Sequence, residues 1–126
     1  MAEVAFIEHR EVVRVDPDRL DSLHVQLGDS GAEDMIARAL YDLGLRIHRI
    51  GQAWDAGDFV AIHDQSRTVS AIADQIGMVT LSRVAADVAG SVERGDHAAL
   101  GATLARLHRI GDSAETVLWD LSDMTL

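Results

Sequence analysis

The sequence predicts an all-α protein: an antiparallel up-down four-helix bundle with a short leading helix and an N-terminal extended arm. Three observations carry this. The chain has one Pro in 126 residues and almost no strand-like alternation after residue 15. Apolar residues then recur in steps of three and four through four segments, the period of a helix with one buried face. The segments are divided by Gly57-Asp58, Gly77 and Gly95-Asp96, junctions so short that consecutive helices must run antiparallel.

Residues 3–15, rich in Val and Ile and carrying Phe6, suit an extended arm or a strand whose partner the sequence does not identify. Asp16-Pro17 reads as an N-cap followed by Pro at the first helical position, so residues 17–27 form a leading helix ended by Gly28. Ile36, Leu40, Leu43, Ile47, Ile50 and Trp54 make the seam of the first bundle helix, which Ala56-Gly57 closes. Asp58 caps the second, which turns Phe59, Ile62, Val69, Ala73 and Ile76 inward before Gly77. Thr80 is placed to cap the third, with Leu81, Val84, Val88 and Val92 buried and an end at Arg94-Gly95. After Asp96 the fourth carries Leu100, Leu104, Leu107, Gly111, Ala114, Leu118 and Leu121 inward.

A hydrophobic content of 48% suits one domain with a continuous core, so residues 16–126 are read as a single bundle and 1–15 as its arm. The net charge is −10 with a pI near 4.8, and all eleven basic residues are Arg. A surface that tracks nucleic-acid phosphates or an anionic membrane would work against that charge. With no Cys, thiol catalysis and cysteine-ligated zinc are absent, as expected of an intracellular protein. The start lacks a basic segment followed by a long apolar run, and the expected location is the cytoplasm.

The stretch from Gly57 to Gly77 resembles the central helix of histidine phosphotransfer domains. In that family a Gly-Asp helix start leads to a phosphorylatable His within His-x-Leu-Lys-Gly-Ser-Ala, and a Gly follows ten residues past that His. Here the position ten before Gly77 and nine after Asp58 is Arg67. The resemblance covers roughly residues 16–122. It implies a cytoplasmic protein of two-component phosphorelays that meets a response-regulator receiver domain, a histidine kinase, or both, and needs no cofactor.

A guanidinium stays protonated and cannot accept a phosphoryl group, so Arg67 departs from the family at its chemical centre. At roughly 100° per residue, His63, Arg67, Ser70 and Asp74 share a polar stripe beside the apolar arc of the second helix. One turn before Arg67, His63 is the candidate phosphoacceptor, with Ser66 as a small neighbour and Arg67 to bind phosphate. The alternative is a surface histidine, with Arg67 pairing along the helix toward Asp74. Arg67, Ser66, Ser70 and Asp74 are therefore the candidate binding residues.

His48 and His108 sit one residue past Ile47 and Leu107 and should border the core, while His9, His24 and His97 default to solvent. No paired Glu-x-x-His motif offers a metal site, and no Gly-x-Ser-x-Gly elbow or phosphate-cradling Gly loop suggests an autonomous enzyme. The phrase Arg46-Ile47-His48-Arg49-Ile50-Gly51 recurs at Arg106–Gly111 and hints at duplication of a helical hairpin. A competing function is a non-catalytic adaptor or homodimerisation bundle whose contacts are made by the arm and by apolar side chains such as Phe6 or Trp119.

Overall fold

The computed structural model describes residues 4–8 and 11–125, and side-chain surroundings for residues 13–113. The elements are β1 (Val4–Glu8), β2 (Glu11–Val15), α1 (Pro17–Ala56), α2 (Phe59–Gln75), α3 (Val79–Glu93) and α4 (His97–Thr125). Four helices form the expected bundle. No helix among the described residues is long and apolar enough to cross a membrane.

The N-terminal segment finds its partner in itself. β1 and β2 pair antiparallel, Val4 opposite Val15 and Glu8 opposite Glu11, and β2 lies against α3 and α4. Val13 and Val15, on one face of β2 by its period of two, are buried in the same core as Ile36, Ile62, Leu81 and Leu107. A two-stranded hairpin is marginal alone, and here the bundle supplies its apolar floor. The side chains of Phe6 and Trp119, and those of Ala114, Leu118 and Leu121, lie outside the described residues, as does His9.

α1 starts as its sequence predicts. The Asp16 carboxylate accepts hydrogen bonds from the Asp18 and Arg19 amides, and Pro17 loses nothing by lacking an N–H there. Helical backbone is interrupted at Gly28, whose φ of 74° and ψ of 167° separate the leading turns from the long helix behind them. Leu20 and Leu23 anchor those leading turns in the core. α1 then buries Ile36, Leu40, Leu43 and Ile50, but its seam continues through Ala53, leaving Trp54 41% exposed. Trp54 lies five full helical turns past Ile36 and keeps the direction of the seam, but it stands in the last turn of α1, where the bundle no longer covers it.

Each junction closes by the chemistry its residues allow. Gly57 and Gly95 take left-handed backbone, and the carboxylates of Asp58 and Asp96 accept from the Ala61 and Ala99 amides, both at 3.0 Å. Thr80 does not cap α3. The helix begins at Val79 behind the buried Met78, which places Thr80 inside it and turns its hydroxyl toward the hairpin, where it accepts from the Arg14 amide at 2.7 Å. Phe59, expected inward, opens α2 at the bundle's end, is 37% exposed, and stacks on His97 with 5.0 Å between ring centroids.

The repeated phrase does not mark a duplication. Its copies stand 60 residues apart, on α1 and α4, whereas the Gly-Asp junctions stand 38 apart. One hairpin copied once would carry both offsets equally. The two phrases instead meet across the α1–α4 contact. A β-carbon on Gly111 would lie 3.0 Å from Ile47 Cδ1, and one on Gly51 would lie 3.3 Å from His108 Nε2. His48 and His108 are exposed, and His108 Nδ1 lies 2.9 Å from the Leu104 carbonyl, to which its N–H donates.

Candidate functional site

α2 buries Ile62, Ser66, Val69 and Ala73, a run of steps four, three and four, so the residues one place further on lie along the edge facing α3. His63, Arg67, Ser70 and Asp74 are those residues. The structure brings Arg67, Ser70 and Asp74 together along one groove between α2 and α3, lined also by Ala86, Ala89, Gly90 and Glu93, and His63 reaches the same Glu93 from outside that lining. Small side chains on both helices let the backbones approach closely. Midway, Ser70 and Ser82 each donate a hydroxyl hydrogen bond to the other's carbonyl at 2.9 Å.

That clasp gives Ser70 a structural partner. Ser66 departs from its expected place: it is fully buried, and its hydroxyl has no hydrogen-bond partner, so it lines the interior rather than the face beside His63. Its position in the four-three-four series is the signal for this. Asp74 is exposed near the far end of the groove.

At the open end, His63 Nε2 lies 2.9 Å from Glu93 Oε1, and His63 Nδ1 lies 3.2 Å from Asp64 Oδ1. The His63 side chain is 29% exposed. A carboxylate oxygen only accepts, so both contacts are hydrogen bonds only when both ring nitrogens carry protons. The two carboxylates accordingly raise the His63 pKa above its ordinary value, Glu93 contributing most. The bond to His63 lowers the Glu93 pKa in turn, helped by the charges of Arg67 and Arg94. Arg67 is 66% exposed and reaches the same Glu93 oxygen at 3.7 Å, a looser contact.

The resting chemistry follows. An imidazolium has no free lone pair and is not a nucleophile, so the two acids, by favouring that form, bias His63 against attack on a phosphoryl group. Glu93 was not among the sequence-level candidates. Thirty residues separate it from His63, and its part depends on α3 running back along α2 with long side chains leaning toward their helix N-terminus. Among the described residues, no three His, Asp or Glu side chains converge as a metal ion would require.

No protein-family model matches the sequence, and no curated protein does. Among solved structures, the chain is similar to the histidine-containing phosphotransfer protein B (HptB) from Pseudomonas aeruginosa PAO1. The TM-score is 0.79 at 18% identity, over 87% of this chain and 95% of that one. At that identity the likeness shows a shared fold: the chain's four-helix bundle is built like that of HptB.

Proposed function

We propose that this chain is a signalling protein of the two-component phosphorelay kind, which docks a response-regulator receiver domain through the α2–α3 edge and, as it rests, carries no phosphate. The observation that carries this reading is Arg67, two-thirds exposed on the uncovered stripe of α2. Support comes from the HptB-like bundle around it. In this reading Arg67 stands where the family has its phosphorylatable histidine. Receiver domains hold their phosphoryl group in a pocket of carboxylates, and a planar, permanently charged guanidinium suits such a pocket without being able to take the phosphate.

His63, one turn away, is the residue that would carry phosphate if any does. Its ring nitrogens are both engaged by acids, which speaks for docking without transfer. The test uses a panel of receiver domains, titrated by calorimetry and incubated with the protein after phosphorylation. Binding by at least one receiver, lost in Arg67→Glu, with no acid-labile label on the wild-type chain, is the expected result. A panel in which no receiver binds removes the docking role. Label that disappears in His63→Ala restores the relay role.

A further inference from the structure

We infer that Glu93 is an internal stand-in for the acidic group of a docking partner, occupying the Arg67–His63 pair and keeping His63 unreactive until it is displaced. The inference rests on the docking reading for its partner, but its core is geometric. One carboxylate oxygen lies 2.9 Å from a ring nitrogen on the neighbouring helix and 3.7 Å from a guanidinium one turn further along. Two cationic groups a turn apart that converge on a single oxygen form an oxyanion site, and here the oxyanion comes from the protein's own α3.

The surroundings of that site are mixed. On α2 they are Asp64 and Arg67; on α3 it is Glu93, followed at the helix cap by Arg94, whose charge also acts on Glu93. Asp64, the second acid on His63, comes from the same helix and stays in place when Glu93 is displaced. Glu93 is the removable one. It is half-exposed at the last residue of α3, just before Gly95 turns the chain, and water already competes for it. An acidic pocket approaching this edge meets Arg67, the more exposed of the two cations, takes its guanidinium and repels the Glu93 carboxylate from His63. The pair is a surface contact, so the exchange is a modest one.

Displacement also frees Nε2. With Glu93 gone, His63 loses the larger of the two acids favouring its imidazolium, and a greater share of the rings is neutral at a given pH. The Nε2 lone pair can then attack a phosphoryl donor. With phosphoramidate as the donor, a nitrogen–phosphorus bond forms on the ring as the donor's phosphorus–nitrogen bond breaks, and ammonia leaves with the proton.

The experiment compares wild type, Glu93→Ala and the double variant Glu93→Ala/His63→Ala in three measurements. NMR titration of the His63 ring should show its midpoint lower in Glu93→Ala. Labelling by phosphoramidate should rise about three- to fivefold in Glu93→Ala and vanish in the double variant. Affinity for an unphosphorylated receiver should rise by a similar factor. An unchanged His63 midpoint overturns the inference, and so does a shifted midpoint with neither labelling nor affinity altered. A shifted midpoint with raised labelling, but no receiver bound by either protein, upholds the Glu93 lock and rejects receiver docking.

Discussion

At its Gly77 end α2 is fastened by backbone, whereas at its Asp58 end it meets its neighbours through side chains that water can reach. The Asp16 amide donates to the Gly77 carbonyl at 2.8 Å, and Ile76, Gly77 and Met78 are all buried; the exposed Arg19 side chain adds a bond to the Gln75 carbonyl at 2.9 Å. At the other end Trp54, Phe59 and Val60 are exposed, and the cross-helix contacts are made by side chains: His63 and Arg67 with Glu93, Arg46 with Gln65, and the Phe59–His97 stack. Contacts shielded from solvent hold a fold at any ionic strength. Exposed ion pairs hold little and exchange easily, which is what a docking edge requires.

Two glycines measure this difference directly, because both are left-handed, Gly77 at φ 78° and Gly57 at φ 68°. A β-carbon on Gly57 meets nothing within 4 Å, while one on Gly77 would lie 2.8 Å from the Asp16 carbonyl oxygen. Gly57→Ala should therefore cost only the left-handed conformation, about 1–2 kcal/mol. Gly77→Ala adds a clash with backbone and should cost about 2–4 kcal/mol by denaturant unfolding. Equal costs would mean that the Gly77 end is as yielding as the other.

The next largest effect probes the hairpin, which is fastened beside the same end. Thr80→Val keeps the side-chain shape but removes the hydroxyl that accepts from the part-buried Arg14 amide, a loss of about 1–1.5 kcal/mol. If the hairpin contributes nothing to stability, the two proteins unfold together.

What the sequence reveals divides along the same line. Caps and helix ends at Asp16, Gly28, Asp58, Gly77 and Asp96 were legible, because each depends on a residue's own backbone preference or a carboxylate acting on its own helix. So was the stripe from His63 to Asp74, which needs only the helical period. Thr80 was misread because its N-capping preference yielded to a tertiary partner 66 residues away. Glu93 was missed for the same reason, since no local rule pairs residues across two helices. Trp54 and Phe59 were assigned inward because they are large and apolar, but at the ends of helices the bundle has no neighbour to cover them.

Ser66 yields a smaller effect of opposite sign. Its hydroxyl is buried without a partner, a desolvation cost without return, so Ser66→Ala should stabilise the protein by about 1 kcal/mol. A loss of stability would mean that the hydroxyl has a partner in solution.

The smallest effect on stability belongs to the exposed pair, and its pH dependence identifies it. His63 has a raised pKa in the folded chain, so its contribution is complete below its ordinary value near 6.5 and fades as pH rises through the raised one. Glu93 has a lowered pKa, so its contribution is complete above its ordinary value near 4.5 and fades as pH falls through the lowered one. The difference in stability between wild type and Glu93→Ala should therefore be greatest between those two ordinary values, shrink toward alkaline pH, and diminish in high salt. The cost of Gly77→Ala should change with neither. A Glu93→Ala difference that is flat from acid to alkali would show that the carboxylate does not hold His63, and the two ends of α2 would no longer differ in the way their contacts imply.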